Sequence, residues 1–471
     1  MAIMEQREKS IGGISKPTPR QRAHASDDAA ARRADAAEVD KKVRPWVASR
    51  KAPLIATCLV ALPALVILVA GDVSSAVSVL TGWGATTARR GAGEVGMAVA
   101  EECDVSRGRW VREPRGPIYT NLTCSTVADY VNCQKFGKDP GYLYWRWRPE
   151  GCELPRFSPA RFLDVVRGKR LAFIGDSLAR NQMESLLCLL SQAETPTDMH
   201  AGAFVDAFRK WHFPEHDFTL IAVWTEFFVY ADPVVAGKRT GPFDVHLDRL
   251  NTNWTRRLPE LDYAVISGGN WFFRPNYLWE GGRRVGCVNC PEPELAHFPR
   301  AYAVGRVVAA ALEALAWCRD CKKELVTFLR TYTPDHFEHG WWFSGGNCNR
   351  TRPLEEAEVS SEAAGWELRA AQLEEVRKVR EKTATSGRGS GGFGVLDVTP
   401  AMMMRADGHP GEHHQRWRGR NANDCLHLCL PGPIDMWNDV LLRRLVELSP
   451  RSEARLGGGT REHEDAAVAG L

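Results

Sequence analysis

The chain has 471 residues, 61 of them basic and 58 acidic, for a formal net charge of +3. That near-balance lacks the cationic excess needed to hold phosphate backbones and excludes nucleic acid as the main partner. The length provides for one large or two ordinary domains with a sizeable core, and sixteen tryptophans are enough to leave indoles over for stacking platforms of the kind that carbohydrate suits.

Residues 1–52 are polar, rich in Ala, Arg, Lys and Asp, and lack a periodic apolar face, which predicts a disordered cytosolic tail. Residues 53–70 carry no charge (PLIATCLVALPALVILVA) and come close to the roughly 20 residues that cross a bilayer; Pro63 is tolerable there. Lys41, Lys42, Arg44, Arg50 and Lys51 precede this span and few charges follow it. The positive-inside rule therefore puts the amino terminus in the cytosol and the bulk of the chain in the lumen, as a signal anchor. A cleaved signal peptide is the competing reading, but its leading segment would be atypically long. Residues 71–100 are small and flexible, a stem.

From Glu101 the composition changes. Cys103, Cys124, Cys133 and Cys152 are spread among Trp110, Tyr119, Tyr130, Tyr142, Tyr144, Trp145 and Trp147, which predicts a small loop-rich module over 101–155, stapled by disulfides. Cys58 lies in the apolar span, leaving an even twelve of the thirteen cysteines beyond it. An even set suits an oxidising compartment. The sequons at Asn121, Asn253 and Asn349 agree with that compartment.

Residues 156–449 read as alternating strands and helices. Strands are predicted at Arg170–Ile174, Thr219–Val229, Ala264–Ser267, Glu324–Arg330 and Val395–Val398, and helices at Leu178–Leu190, Ala301–Trp317 and Ala357–Lys382. This pattern predicts an α/β fold, a mostly parallel sheet with helices on both faces. Ligand sites in such sheets lie outside the carboxyl ends of the strands. Gly387-Arg-Gly-Ser-Gly-Gly392 matches a dinucleotide fingerprint by letter, but it follows a helix and precedes a strand, the reverse of what that motif needs; a flexible linker is the better reading. Residues 450–471 are Gly-, Ala- and charge-rich and predict a disordered tail.

The stretch that organises this segment is Leu171-Ala-Phe-Ile-Gly-Asp-Ser-Leu-Ala-Arg-Asn-Gln182. A strand, a sharp turn and a helix put Ser177 where backbone N–H groups converge and the helix dipole favours developing negative charge. That suits a nucleophile. The alternative is that Asp176 or Ser177 only caps the helix. A serine nucleophile needs a base, usually histidine, oriented by a carboxylate. His427, with Asp424 three residues before it and Cys425 and Cys429 flanking the pair, is the best placed of thirteen histidines. Read alone, it is better taken as an ordinary loop histidine beside a turn-forming aspartate.

Together the two stretches resemble the trichome birefringence-like family of plant cell-wall polysaccharide O-acetyltransferases, relatives of the GDSL/SGNH-type serine esterases. The resemblance spans about Cys103 to Val446. It includes Tyr144-Trp-Arg-Trp-Arg-Pro149, Cys152-Glu-Leu-Pro-Arg-Phe157, Gly175-Asp-Ser-Leu-x-Arg-Asn-Gln182 and Arg330-Thr-x-Thr-Pro-x-His-Phe-Glu338. It continues through Gly345-Gly-x-Cys348, Leu396-Asp-Val-Thr399, Asp407-Gly-His-Pro410 and Asp424-x-x-His427.

The resemblance implies a three-layer SGNH-like domain of the PC-esterase type behind an amino-terminal module of the PMR5N type. It implies Ser177 as nucleophile, His427 as general base and then acid, and Asp424 as the group that holds the imidazole. The serine N–H, Gly269 and Asn270 would stabilise the oxyanion, although family members often differ at the position of Asn270. Asp176, Arg180 and Asn181 would shape the site. By family order the pairs are Cys103 with Cys152, Cys124 with Cys188, Cys133 with Cys429, and Cys348 with Cys425. Cys287, Cys290, Cys318 and Cys321 remain unassigned; disulfides are favoured over a zinc site, because the gap between the two pairs is longer than the usual spacing of about 15–20 residues, and no metal is expected.

The implied activity is transfer of acetyl to a hemicellulose hydroxyl, in the Golgi lumen, by a single-pass type II membrane enzyme. It needs no cofactor beyond an acetyl donor, acetyl-CoA-derived or otherwise, delivered directly or by a donor-supplying membrane protein. Cys425-Leu-His-x-Cys-Leu-Pro-Gly-Pro-Ile-Asp435 is most similar to the branch acting on xyloglucan or its sister acting on glucomannan, and less to the xylan branch. Leu428 stands where tryptophan is usual, a change that bears on acceptor stacking. Tyr144, Trp145, Trp147, Trp224, Trp271, Trp341 and Trp342 are candidate sugar-stacking groups. A polysaccharide acetylesterase and a non-catalytic wall-polysaccharide binder are the alternatives.

Overall fold

The computed structural model describes residues 103–200, 208–237, 241–386, 392–415 and 423–448. The predicted cytosolic tail, membrane anchor, stem and carboxyl-terminal tail lie outside these residues, as does most of the glycine-rich segment at 387–392. Among the described residues no helix is long and apolar enough to cross a membrane.

In chain order the elements are strands β1 (Gly108–Arg112) and β2 (Trp145–Pro149), helix α1 (Pro159–Val165), β3 (Arg170–Gly175) and α2 (Ser177–Leu190). Strands β4 (Thr197–Asp198), β5 (Phe208–Phe213), β6 (Phe218–Trp224), β7 (Val229–Pro233) and β8 (Phe243–Leu250) follow. Then come α3 (Thr252–Thr255), β9 (Tyr263–Ser267), β10 (Asn276–Glu280), β11 (Arg283–Val288), α4 (Arg300–Ala316) and β12 (Val326–Arg330). The chain closes with α5 (Ala364–Ser386), β13 (Phe393–Leu396), α6 (Thr399–Met403) and α7 (Asp435–Glu447).

The main sheet has the order β13-β12-β9-β3-β6-β5-β4. Its first five strands are parallel, and β5 and β4 close one edge antiparallel. Side chains alternate across a strand, and β3 shows the consequence. Leu171 and Phe173 join the core that holds Met183 and Leu186 of α2 and Trp437 and Leu441 of α7. Ala172 and Ile174 join the opposite core, with Val304 and Val308 of α4 and Leu368 and Val376 of α5. A strand apolar at every position is what two covered faces require.

Two predicted elements are divided in the structure. The run Thr219–Val229 is not one strand: β6 ends at Trp224, and β7 begins at Val229 in a separate four-stranded sheet of order β11-β10-β8-β7. Thr225 donates its N–H to the Gly175 carbonyl at 2.8 Å, and Phe228 takes a positive φ of 63°, so the chain turns between the sheets. The predicted helix Ala357–Lys382 begins as a single 3-10 turn at Glu356–Glu358, breaks, and resumes as α5.

The amino-terminal module is a two-stranded ribbon, β1 against β2 with Trp110 opposite Trp147, and irregular loops. Trp147 is not a sugar platform: it is buried, and its indole N–H donates to the Val105 carbonyl at 2.9 Å. The disulfides are Cys103–Cys152 within this module, Cys124–Cys188 to α2, Cys133–Cys429 to the loop before α7, and Cys348–Cys425. Cys287–Cys290 and Cys318–Cys321 each close on themselves. Cys287, Cys290 and His297 come within 4.8 Å of one another, but as a disulfide the two cysteines offer no thiolate to a metal.

Candidate active site

Ser177 is the first residue of α2, at the carboxyl end of the central strand β3. Asp176 is the N-cap: its Oδ1 accepts the Leu178 N–H at 3.0 Å. The capping role therefore belongs to Asp176, and the Ser177 hydroxyl is not consumed by it. Gly175 precedes them because the sheet is tight there; a Cβ at this position would sit 2.0 Å from the Ser267 carbonyl oxygen of β9. Burial pushes the Asp176 carboxyl up, against the opposing pull of the buried Arg330 guanidinium and the Leu178 N–H. Arg330, over the Trp437 ring at 4.5 Å, is held near 10 by its own burial, with Asp176 acting the other way.

Asp424 and His427 form a tight loop pair. Asp424 Oδ2 lies 2.7 Å from His427 Nδ1, and Oδ1 accepts the N–H groups of Leu426 and His427 at 3.1 and 3.0 Å. Three bonds on one carboxylate leave it no other orientation. For Asp424, burial alone would raise the pKa; the charge and hydrogen bonds of His427 outweigh it and hold the acid well below the usual carboxylate range. For His427, burial alone would lower the pKa; the Asp424 carboxylate outweighs it and the net shift is upward. Because Asp424 Oδ2 only accepts, the proton of neutral His427 sits on Nδ1 and leaves Nε2 a lone pair. Among the described residues Nε2 has no hydrogen-bond partner.

The two halves are joined through Asn181, one turn after Ser177 and on the same face of α2. Its Nδ2 donates to the Leu428 carbonyl at 3.2 Å, and its Oδ1 accepts the Leu428 N–H at 2.8 Å. This reciprocal pair pins the residue next to His427 against the helix that begins with Ser177. Leu428 contributes backbone only: its side chain is 2 % exposed and packs in the core beside Gly408. The leucine side chain itself therefore offers no stacking face to an acceptor. The disulfides at Cys425 and Cys429 clamp the loop on either side of His427.

Asn270 and Gly269 lie just beyond the carboxyl end of β9, the strand beside β3. Asn270 donates from Nδ2 to the Thr333 carbonyl at 3.2 Å, which fixes the amide and leaves its second proton. Gly269, at a φ of +133°, is buried. Gln372 of α5, fully buried, locks this loop by donating to the Gly268 carbonyl at 3.0 Å and accepting the Tyr332 N–H at 2.7 Å. Arg180 lies over the Tyr130 ring at 5.3 Å and the Trp224 ring at 5.5 Å.

Several of these groups had no assigned role in the sequence reading. Tyr130, from the amino-terminal module, meets the His427 ring edge-on at 5.4 Å and donates its hydroxyl to Glu184 at 2.6 Å. His409 Nδ1 donates to the His427 carbonyl at 2.8 Å, and its Nε2 lies 2.7 Å from His336 Nδ1. Burial pulls the pKa of His409 down to about 3 and lowers that of His336. Arg405, itself buried, holds the Asp407 carboxylate at 2.7 Å and the Tyr142 carbonyl at 2.8 Å, fixing the turn that carries His409. His336, Asp407 and His409 stand within the motifs named above and Tyr130 and Arg405 outside them, but what each side chain touches is set by contacts distant in sequence.

A mostly parallel sheet with a serine at its central strand-to-helix turn, and a carboxylate–imidazole pair on a clamped carboxyl-terminal loop, is the α/β arrangement of the SGNH-like acyl-esterases. Comparison with known families agrees. Residues 154–444 match the PC-esterase model, described as a GDSL/SGNH-like acyl-esterase family found in Pmr5 and Cas1p, and the chain belongs to that family. Residues 101–153 match the PMR5 amino-terminal domain. The chain is 48% identical over 350 residues to xyloglucan O-acetyltransferase 4 of Populus trichocarpa, covering 74% of this chain and 82% of that protein. It is 46% identical over 347 residues to xyloglucan O-acetyltransferase 3 of the same species, covering 73% and 86%. With xyloglucan O-acetyltransferase 2 of Arabidopsis thaliana it shares 44% over 351 residues, 74% and 83% of the two chains.

Proposed function

We propose that the protein is an O-acetyltransferase that moves acetyl groups onto hydroxyls of xyloglucan through an acetyl-serine intermediate. The observation that carries this reading is the Asp424–His427 pair held by Asn181 against the helix that starts with Ser177; the activity and acceptor named for the relatives give it its substrate. Glucomannan or xylan is the alternative acceptor.

Ser177 Oγ gives its proton to His427 Nε2 and attacks the acetyl carbonyl of the donor. The tetrahedral oxyanion takes hydrogen bonds from the Ser177 and Gly269 N–H groups and the free proton of Asn270 Nδ2. Collapse expels the donor's leaving group, which takes the proton from His427. The acceptor hydroxyl then gives its proton to Nε2, attacks the acetyl-serine and leaves as the acetyl ester, while the proton returns to Ser177. Transfer to a sugar and hydrolysis use the same groups and differ in which hydroxyl arrives second. Incubation with an acetyl donor and xyloglucan oligosaccharides is expected to yield acetylated sugar faster than free acetate. Acetate as the only product would make the protein an esterase instead.

The pH dependence has a definite sign. The first proton transfer needs neutral His427, and its pKa is raised above the usual value of about 6.5 by Asp424. Transfer is therefore expected to fall as pH drops through that raised value, with Asp424 ionised throughout. A profile of kcat/KM against pH checks this; an acidic limb below the ordinary imidazole value would contradict it.

The compartment belongs to the same proposal. The apolar span 53–70 with its preceding cations, the three sequons and the disulfides support a single-pass type II enzyme of the Golgi membrane with its catalytic domain in the lumen. The acetyl donor, or a membrane protein that supplies it, is the second partner.

A further inference from the structure

We infer that the acceptor polysaccharide lies along a continuous strip of aromatic and arginine side chains that leads from His427 to an exposed platform at Trp342. This rests on the acetyltransferase reading and adds the path of the acceptor to it. The strip starts at Tyr130, whose ring lies 5.4 Å from that of His427. Arg180 bridges Tyr130 at 5.3 Å and Trp224 at 5.5 Å. Trp224 meets Trp271 at 6.2 Å, and Arg274 lies 4.4 Å over Trp271 and 5.8 Å from Trp342. None of these six side chains is fully buried. Trp342 is 41 % exposed, and its neighbours Trp341 and Phe343 are 48 % and 71 % exposed.

The chemistry of the strip suits a neutral sugar chain. Indole and phenol rings offer flat apolar faces to the C–H faces of pyranoses, and guanidinium groups offer several donors in a fixed fork to ring and hydroxyl oxygens. Arginines packed on rings are held in place, so ordering them on binding costs less side-chain entropy. Trp271 directly follows Asn270 in the chain, which places the middle of the strip beside the oxyanion loop. A membrane surface would also accept exposed tryptophan, phenylalanine and arginine, but continuity with His427 favours the substrate.

The experiment is acceptor kinetics with xyloglucan oligosaccharides of increasing backbone length, on the wild type, Trp342→Ala and Trp317→Ala. Trp317, also 41 % exposed, lies at the end of α4 outside the strip and is the matched control. Wild-type KM is expected to fall with acceptor length. Trp342→Ala is expected to raise KM about tenfold for the longest acceptor and less than about twofold for the shortest, and Trp317→Ala to follow the wild type. A KM for the longest acceptor within twofold of wild type in Trp342→Ala, or an equal rise in Trp317→Ala, overturns the proposal. Retardation in native gels containing xyloglucan reads the strip without turnover. Retardation lost in Trp342→Ala while no variant transfers acetyl keeps the strip and sinks the transferase reading; absence of retardation in the wild type sinks the strip. Loss of binding to anionic lipid vesicles in Trp342→Ala, with retardation by xyloglucan unchanged, overturns it in favour of a membrane contact.

Discussion

Ser177→Ala is expected to leave a folded protein whose acetyl transfer is slower by about four orders of magnitude or more, the scale seen when a serine nucleophile is removed. The substitution takes away one oxygen and little else. Asp176 keeps its cap on the Leu178 N–H, and alanine is the better helix former at a helical position. The Asn181 bonds to Leu428 do not involve the hydroxyl. The thermal midpoint should therefore move by no more than about 2 °C, a shift that corresponds to roughly 1 kcal/mol for a domain of this size. Product formation and intact mass read the rest. Wild type incubated with donor should gain one acetyl group, and Ser177→Ala should gain none. Transfer within tenfold of wild type in the variant would remove Ser177 from the mechanism.

Asp424→Asn is the second large effect, and it separates charge from shape. Asparagine can keep Oδ1 where it accepts from Leu426 and His427, so the loop should hold its conformation. It then presents an N–H group to His427 Nδ1, where Oδ2 now lies at 2.7 Å. The imidazole must answer with a lone pair on Nδ1, which moves its proton to Nε2. A protonated Nε2 cannot take a proton from serine, and the comparable change in a serine protease costs about four orders of magnitude in kcat. Loss of the carboxylate also removes what holds the His427 pKa up, so any residual activity should show its acidic limb at lower pH than wild type. A drop of less than tenfold in kcat would mean that Asp424 does not orient the base.

Much of this site was legible because its groups sit close together in the chain. Leu171–Ile174 followed by Gly-Asp-Ser announces a buried strand and a turn, and Asp424 with His427 is a contact within one short loop. The division at Trp224 was hidden because Phe227, Phe228 and Val229 continue the apolar run of β6 while their backbone turns into another sheet. The start of α5 was hidden because the charged turn Glu356–Glu358 is as helical in composition as the helix itself. Tyr130, Gln372 and His409 could be seen as letters but not as supports. Tyr130 reaches Glu184 across 54 positions and Gln372 reaches Gly268 across 104. Periodicity says which face a residue occupies and is silent about what lies opposite. Leu428 shows the converse error, a departure from the usual residue whose side chain faces the core and leaves only its backbone at the site.

The bond between Cys133 and Cys429 spans 296 residues. A ribosome delivering this chain exposes Cys133 long before its partner exists, so the early cysteine must wait as a thiol, or in a temporary bond, until almost the whole polypeptide has emerged. Stepwise maturation, with the amino-terminal module finished first, is closed to this protein. A chain that stops short of residue 425 would strand both Cys133 and Cys348 and lose the base with them, so partial products would arrive both inert and marked by unpaired sulfur for thiol-dependent quality control.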